Sequence, residues 1–219
     1  MVNVLLEGFN INKPWLFNEL KNHLKPRLKV VVIPFSFRDS EVKNSQDWEK
    51  LYGKGGYVYC GIVGGLKTYG IAENDVYFIN YFTDDKDFAA QKVKKADVIY
   101  FTGGLPDKMM QRIENFNLTG VLKSFDKIIM GYSAGALIQL GEYHLSPDKD
   151  YSNFTYFNGL GYLNGFYLEV HYNATAIQND SIKRVKSERK LPVFATKVME
   201  GAIIAENGKI KLLGAVERF

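Results

Sequence analysis

Short apolar runs, separated by segments with helical spacing, constrain the fold of this chain most. The first two runs lie at residues 2–6 and 30–35, and between them apolar side chains recur at Trp15, Leu16, Leu20 and Leu24. The second run is apolar at every position, which is typical of a parallel strand covered on both faces. A strand, a helix and a second strand of this kind form a βαβ unit.

The same alternation continues along the chain. Further strands are predicted at 76–82, 97–101 and 127–132, and further helices at 85–95 and 106–116. The pattern predicts a three-layer α/β fold, in which a mostly parallel central sheet carries helices on both faces. After residue 160 it changes to short strands at 166–172, 193–196, 202–206 and 210–213, the last two joined by an Asn-Gly turn. The sequence shows no repeat or linker, so a single domain over residues 1–219 is expected.

The composition indicates a compartment and a class of partners. With a single cysteine, Cys60, the chain can form no internal disulfide, which is typical of a reducing compartment. No stretch resembles a secretion signal, and the longest apolar runs are far too short to cross a bilayer. The net charge of +4 is a mild excess of 28 basic over 24 acidic residues, and the basic stretch 183–190 is interpreted as a solvated helix face. We therefore expect a cytoplasmic protein without a nucleic acid or membrane partner.

The strongest local signal is the segment Gly131-Tyr132-Ser133-Ala134-Gly135, which overlaps the end of the strand predicted at 127–132. A glycine there permits a tight turn, a serine stands at the apex, and small residues allow a helix to begin directly behind it. This arrangement exposes the serine hydroxyl and places it near the positive end of a helix dipole. Ser133 is the predicted nucleophile, and the competing interpretation is a serine that only caps the helix.

A serine nucleophile needs a base, and histidine is the usual base near neutral pH. Of the three histidines, His23 falls near the end of the charged first helix, where a surface position is expected. His171 ends an apolar strand and is favoured over His144, because the end of a strand lets a side chain reach a cleft. Spacing alone selects no acid to orient the base, so four candidates stay open: Asp148, Asp150, Glu169 and Glu200.

The oxyanion of acyl transfer needs backbone N–H donors. The N–H of Ala134, directly after the serine, is one candidate, and Gly103-Gly104, after the strand predicted at 97–101, supplies another. Both segments follow strands, and ligands of parallel sheets bind at the carboxyl ends of the strands. Cys60 is a weaker candidate nucleophile, since no histidine stands near it in the sequence and a buried position is expected.

Together these features resemble the peptidase E and cyanophycinase family of serine peptidases. The resemblance rests on Thr102-Gly103-Gly104, on residues 131–136 and on a strand-borne histidine after the serine, and it runs along most of the chain. It implies a single peptidase domain, a fold similar to that of the class I glutamine amidotransferases, and a triad in the order Ser, His, Glu. Carried over to this chain, the triad would be Ser133, His171 and Glu200, with Gly104 and Ala134 at the oxyanion and no metal or cofactor.

Two departures from the family bear on the substrate. The family follows its Gly-Gly with Asn-Thr, whereas this chain has Leu105-Pro106, which predicts the loss of one polar contact beside the oxyanion. The members that cleave after an amino-terminal aspartate share an arginine on the helix that follows the histidine, and this arginine would bind the carboxylate of that aspartate. Here the stretch 178–184 carries an acid near that place, and only Lys183 or Arg184 could substitute. Aspartyl specificity therefore does not follow from the resemblance.

The resulting hypothesis is a serine peptidase that hydrolyses short peptides, in the manner of a dipeptidase, or isopeptides, through an acyl-enzyme. Gly103, Glu169 and Arg184 are predicted to contact the substrate. Glu169 would contact the ammonium group of the substrate. Two alternatives stay open: a non-catalytic binding protein on the same scaffold, and an amidohydrolase or esterase for non-peptide substrates. A set of aromatic residues is open to three interpretations, a substrate wall, a homodimer contact or core packing: Tyr151, Phe154, Tyr156 and Phe157.

Overall fold

The computed structural model describes residues 1–9 and 11–219. Strands lie at β1 (Val2–Leu6), β2 (Val30–Ile33), β3 (Val76–Phe78), β4 (Val98–Phe101), β5 (Ile128–Tyr132), β6 (Glu142–Leu145), β7 (Thr155–Asn158), β8 (Tyr167–Glu169), β9 (Val193–Glu206) and β10 (Lys209–Arg218). Helices lie at α1 (Pro14–Leu20), α2 (Ser45–Tyr52), α3 (Tyr57–Lys67), α4 (Lys86–Lys95), α5 (Pro106–Asn115), α6 (Thr119–Lys123), α7 (Ala134–Leu137) and α8 (Ala176–Arg189).

An eight-stranded sheet forms the central layer. Its strands follow the order β10-β9-β1-β5-β4-β2-β3, and β8 pairs with β9 beside this path. Strands β1, β5, β4, β2 and β3 run parallel to one another, whereas β9 is antiparallel to both β1 and β10. The hairpin of β6 and β7 forms a separate two-stranded sheet. The prediction of a mostly parallel sheet is confirmed.

Alternate residues of the central strands enter two hydrophobic cores, one on each face of the sheet. In β1, Leu5 packs in a core with residues of α4, α5, α6 and α7, whereas Val4 and Leu6 pack in a core with residues of α1, α2 and α3. Helices therefore cover both faces, which explains why these strands are almost entirely apolar. The buried polar residue of β1, Asn3, donates to Gln139 Oε1 at 3.1 Å. The predicted three-layer α/β architecture is confirmed.

The last part of the chain differs from the prediction of several separate strands. Residues 193–206 form one long strand, β9, whose exposed residues 197–200 interrupt the apolar pattern between two buried stretches. Strand β10 extends to Arg218 with a shift in register between Gly214 and Val216. The turn between β9 and β10 has φ of 50° at Asn207 and 73° at Gly208, as the predicted type I′ turn requires.

Other differences lie on the periphery. The sequence pattern does not predict α3, whose five-residue stretch 61–65 contains three glycines that lower helix propensity. Cys60 lies exposed on this helix, not buried as expected.

The basic stretch 183–190 begins within α8 and is mostly exposed, as expected of a solvated helix face. Among the described residues, no helix is long and apolar enough to cross a membrane.

The topology brings several chain segments to one edge of the sheet. Because β1, β2, β4 and β5 are parallel, the chain leaves all four strands at this edge. Strand β9 extends past the end of β1, and β8 pairs in parallel with this extension, Glu169 beside Ala195. The chain that leaves β8 therefore runs back toward the end of β1.

Candidate functional site

A cavity of about 770 Å³ opens at this edge of the sheet. Its wall contains the two segments singled out in the sequence, around Gly104 and around Ser133, together with His171. It also contains Glu7, the residue that follows β1. The cavity is the candidate active site, and its side chains come from segments far apart in the sequence.

Ser133 occupies the sharp turn between β5 and α7. Its φ and ψ are 51° and −115°, a conformation that costs a non-glycine residue on the order of 1–3 kcal/mol. The turn is fixed by a 2.9 Å hydrogen bond from the Ser133 N–H to the Leu6 carbonyl. A Cβ on Gly131 would lie 2.2 Å from the Gly135 carbonyl oxygen, so only glycine permits this close approach. The helix can therefore begin directly behind the serine, as predicted.

The serine hydroxyl and the predicted base lie within hydrogen-bond distance. Ser133 Oγ is 2.7 Å from His171 Nε2. On the other side of the ring, His171 Nδ1 is 2.9 Å from Glu7 Oε2. A carboxylate can only accept a hydrogen bond, so Nδ1 carries the imidazole proton and Nε2 is free to accept the proton of the serine. The three side chains thus form one continuous hydrogen-bonded series.

Glu7 is held in place by several donors besides the imidazole. It is only 4% exposed, and its carboxylate accepts the backbone N–H of His171 at 3.1 and 3.2 Å. The hydroxyl of Thr196 on β9 donates to Glu7 Oε1. Because Leu6 pairs with Tyr132 in the sheet, the residues that follow β1 and β5 emerge side by side. The sheet register therefore places the carboxylate next to the nucleophile turn.

The structure does not bring Glu200, the acid that the family resemblance implies, to His171. Glu200 lies in the exposed stretch of β9, between the part that pairs with β8 and the part that pairs with β1. Within residues 1–9 and 11–219, no hydrogen bond or ion pair joins Glu200 to His171. The position beside Nδ1 belongs to Glu7.

The backbone of His171 is fixed as well as its ring. Its φ of 55° lies in the left-handed region. Its carbonyl accepts hydrogen bonds from Asn173 Nδ2 at 3.1 Å and from Gln178 Nε2 at 3.0 Å. Gln178 stands in the first turn of α8, and its N–H donates to the capping hydroxyl of Thr175 at 3.2 Å. The start of α8 thus helps to orient the imidazole.

The surroundings raise the pKa of His171 above its ordinary value of 6.5. The largest cause is the hydrogen bond to Glu7, which favours the protonated ring, and burial opposes it. The negative charges of Glu7, Glu169 and Asp148 act in the same direction as the hydrogen bond. A general base must be neutral, so the competent form of His171 predominates only above this raised pKa.

The predicted oxyanion segments line the same cavity. Gly103, Gly104 and Ala134 all contribute to its wall. A Cβ on Gly103 would lie 3.2 Å from the Cβ of Ser133, so the two turns are in close contact. Ala134 is the first residue of α7, and the N–H at that position has no acceptor within its own helix. The structure therefore brings both candidate donor segments beside the nucleophile.

Glu169 lines the cavity but pairs with a different histidine. Its Oε2 lies 2.7 Å from His144 Nε2 and accepts the hydroxyl of Ser146 at 2.7 Å. His144 is buried in β6. This placement agrees with the choice of His171 over His144 as the partner of Ser133.

The two aspartates considered as the acid have other partners. Asp148 Oδ1 accepts the backbone N–H groups of Asp150 and Tyr151 at 2.8 and 2.9 Å. Asp150 forms a bidentate pair with Arg38, at 3.0 Å from Nε and 2.5 Å from Nη2, which lowers the pKa of its carboxyl group. Both aspartates line the cavity, but neither contacts the His171 ring in the part of the chain that is described.

Arg184, predicted to bind substrate, lies outside the cavity wall as far as the described residues define it. It stands on the exposed face of α8, where its Nε donates to Glu188 Oε1 at 2.8 Å. Its guanidinium lies 4.4 Å from the centre of the Phe154 ring. The Arg184 side chain therefore lies on the β6–β7 side of α8. The prediction that it lines the substrate cavity is wrong for the described wall.

The aromatic residues after the nucleophile divide into two groups. Tyr151 lines the cavity, as one interpretation expects, and donates to Asp107 at 2.5 Å. Phe157 stacks on Tyr143 within the hairpin, whereas Tyr156 lies under the Arg189 guanidinium at 3.9 Å and so joins the hairpin to α8. A homodimer contact through this region stays a prediction.

Glu7 and Gln178 are among the site residues that the sequence analysis missed. The available signal for Glu7 was its position, a single acid directly after a buried strand of a parallel sheet. For Gln178 the signal was its place three residues after Thr175, where a capping threonine would put it in the first turn of a helix.

The fold and the site together are those of a serine hydrolase, with the nucleophile on a turn between a parallel strand and a helix. The family model of peptidase family S51 matches residues 65–213. The chain belongs to this family and is therefore a serine-type peptidase. Glu7 lies outside the matched residues, so its place in the site rests on the geometry alone.

Two solved structures are similar to the chain over nearly all of its length. One is the "Putative Peptidase E Protein" from Listeria monocytogenes EGD-e, with a TM-score of 0.68 and 20% identity, covering 98% of this chain and 98% of that chain. The other is a peptidase from an acI-B1 actinobacterium, with a TM-score of 0.68 and 14% identity, covering 100% of this chain and 93% of that chain. At these identities the likeness shows the fold. No curated protein sequence matches the chain.

Proposed function

We propose that this peptidase hydrolyses short peptides or isopeptides through an acyl-enzyme, with Ser133 as nucleophile, His171 as general base and Glu7 as the acid that orients the base. The observation that carries the proposal is the hydrogen-bonded series from Ser133 Oγ to His171 Nε2, 2.7 Å, and from His171 Nδ1 to Glu7 Oε2, 2.9 Å. Such a series activates a serine that would otherwise be a weak nucleophile.

Ser133 Oγ attacks the carbonyl carbon of the substrate and gives its proton to His171 Nε2, while the C=O electron pair moves onto the oxygen. Glu7 stabilises the imidazolium and keeps its own negative charge. When the intermediate collapses, the C–N bond breaks and the imidazolium gives its proton to the leaving amine, which leaves an acyl group on Ser133. A water then gives a proton to His171 and attacks the acyl carbon. The second collapse returns the proton to Ser133 Oγ and releases the acid product.

The oxyanion is assigned to the backbone N–H groups of Gly104 and Ala134. Removal of one such donor costs about 10²- to 10³-fold in kcat in serine peptidases. Gly103 contributes by lacking a side chain, because any Cβ there would press on Ser133 and on the Tyr132 ring. The two glycines thus leave room for the substrate carbonyl beside the nucleophile.

The cavity favours a short substrate that carries a positive charge. Its volume of about 770 Å³ suits a small ligand, not a folded protein. The carboxylates of Glu169 and Asp148 lie close enough to His171 to raise its pKa through their charge. These two carboxylates would also attract the ammonium group of a peptide. Lys183 and Arg184, considered for an aspartyl carboxylate, are not among the described residues of the wall.

The first experiment is mass spectrometry of the intact protein after treatment with a fluorophosphonate probe. We expect one adduct on the wild-type protein, located at Ser133, and none on Ser133→Ala or His171→Ala. Absence of an adduct on the folded wild-type protein would contradict the proposal. His23→Ala is the matched control, since that histidine lies outside the described cavity wall, near Glu206, and should not affect labelling.

A second experiment separates peptide hydrolysis from hydrolysis of other amides and esters. We would compare dipeptides that have a free amino terminus with the same dipeptides acetylated at that terminus, and with simple amides and esters. Preference for the free amine, reduced in Glu169→Gln, supports the assigned ammonium contact. Cleavage of esters or simple amides alone, with an intact adduct at Ser133, would favour a non-peptide substrate.

A further inference from the structure

We propose that Ser36 is a positioning residue for the oxyanion, because it fixes the Gly103-Gly104 turn through hydrogen bonds to three nearly consecutive residues. The inference rests on the proposed function of the cavity. Ser36 lies in the segment that follows β2, is fully buried, and stands 66 positions before Thr102 in the sequence. It reaches the turn only because β2 and β4 are neighbours in the sheet.

The contacts of Ser36 cover the turn from one end to the other. Its Oγ donates to the carbonyl of Gly103 at 2.6 Å and lies 2.8 Å from Thr102 Oγ1. Its own carbonyl accepts the N–H of Leu105 at 2.7 Å. One side chain and one peptide group thus hold the residues on both sides of Gly104, whose N–H is assigned to the oxyanion.

The backbone of Gly104 lies directly against Ser36. Its φ is 141°, which favours glycine, and a Cβ there would lie 2.2 Å from the Ser36 carbonyl oxygen. The residues after the turn, Leu105 and Pro106, have no side-chain donor, and proline has no N–H. The direction of the Gly104 peptide therefore depends on the contacts that Ser36 makes.

The residues on either side of Ser36 are held by a buried arginine. Arg112 on α5 donates through Nη1 to the carbonyls of Phe35 and Phe37 at 2.6 and 2.7 Å, on either side of the serine. Nη2 donates to Asp39 at 2.6 Å, and the guanidinium lies 3.7 Å from the centre of the Phe37 ring. The segment that carries Ser36 is thus fixed independently of the cavity, and a rigid second layer of this kind is what holds an oxyanion donor in a productive position.

The test measures the rate of fluorophosphonate labelling as a function of pH for the wild-type protein, Ser36→Ala and Ser36→Cys. The phosphonyl oxygen of the probe occupies the place of the substrate oxyanion, so the rate reports the donors. We expect Ser36→Ala to lower the plateau rate about 10- to 100-fold, less than outright removal of a donor, and Ser36→Cys to be intermediate because a thiol donates weakly. The midpoint of the acidic limb, which reports His171, should stay unchanged.

Ser181→Ala is the control for loss of a buried hydroxyl, since Ser181 Oγ donates to the Ile177 carbonyl on α8 and lies outside the cavity wall of the described chain. It should label at the wild-type rate. An equal loss in Ser181→Ala, a wild-type rate in Ser36→Ala, or a shifted midpoint in Ser36→Ala would each overturn the inference. If Ser36→Ala does not fold, Ser36→Cys carries the test. No labelling of the wild-type protein would instead refute the proposed function itself.

Discussion

Replacement of Glu7 by glutamine tests the feature of the site that the sequence did not reveal. The carboxylate accepts the Nδ1–H of His171 at 2.9 Å, the backbone N–H of the same residue and the hydroxyl of Thr196. Glutamine keeps the size of the side chain but replaces one oxygen by an NH₂ donor. If the NH₂ group faces Thr196, the threonine hydroxyl can rotate to accept its hydrogen bond. The remaining oxygen then still accepts the Nδ1–H of His171, but it no longer carries a negative charge.

The magnitude follows from what the charge contributes. A hydrogen bond to a charged group is worth about 1.5–3 kcal/mol, which corresponds to about 10- to 150-fold in rate. If the NH₂ group faces Nδ1 instead, the imidazole takes the other tautomer and can no longer accept the serine proton, and the loss approaches about 10⁴-fold. We therefore expect Glu7→Gln to lower the labelling rate at least about tenfold. Because the bond to Glu7 raises the pKa of His171, the acidic limb should move to lower pH.

The assay is the rate of fluorophosphonate labelling between about pH 5 and 9, across the ordinary titration range of histidine, followed by intact mass spectrometry. Circular dichroism melting of each variant checks that it is folded. Glu200→Gln is the matched control, the same change at an exposed glutamate, and should label at the wild-type rate. A large loss in Glu200→Gln together with wild-type labelling in Glu7→Gln would refute the assignment and restore the acid that the family resemblance implies.

Three further predictions follow from the structure, two on the stability of the scaffold and one on the substrate site. Gly135→Ala should lower the free energy of unfolding in urea by about 1–3 kcal/mol, because its Cβ would lie 2.4 Å from the Phe101 carbonyl oxygen. Gly120→Ala has no atom within 4 Å of the added Cβ and should not destabilise the protein; equal losses would contradict the packing argument. Asp85→Ala removes the side-chain cap of α4 and should cost about 1 kcal/mol in the same assay, and an unchanged midpoint would show that the cap contributes nothing. Arg184→Ala should alter peptide hydrolysis by no more than about 0.5 kcal/mol, and a larger loss would return this arginine to the substrate site.

The sequence predicted the sheet and the sharp turn at Ser133 well because both are locally encoded. A strand covered on two faces is apolar at nearly every position, and β1 and β5 are found close to the predicted bounds. The turn at Ser133 is likewise specified by its own neighbours, since Gly131 and Gly135 touch each other. His171 was favoured over His144 for a similar local reason, because it stands at the end of a predicted strand.

Glu7, the acid in the proposed triad, could not be found in this way because its position beside His171 depends on strand order. Glu7 and His171 are 164 positions apart, and they meet only because β1 lies between β5 and β9. Periodicity predicts that a strand exists but not which strand lies beside it. The family resemblance selected Glu200 by order along the chain, and the exposed stretch of β9 that carries this residue was itself not predicted.

The same dependence on strand order makes the site a product of the whole sheet. Glu7 follows β1, Ser36 follows β2, Gly104 follows β4 and Ser133 follows β5, and all four strands end at one edge. Only the histidine arrives from the opposite direction, through β8, and the carboxylate of Glu7 holds both its ring and its backbone N–H. Glu7 therefore has two roles: in the proposed mechanism it fixes the tautomer of His171, and in the fold it joins the β8 end of the chain to the centre of the parallel sheet. Loss of this carboxylate should make the position of the His171 ring beside Ser133 less fixed, and it should lower the pKa of His171. For this reason the charge-preserving Glu7→Asp, which shortens the side chain by one methylene, is expected to impair labelling while it moves the acidic limb less than Glu7→Gln does.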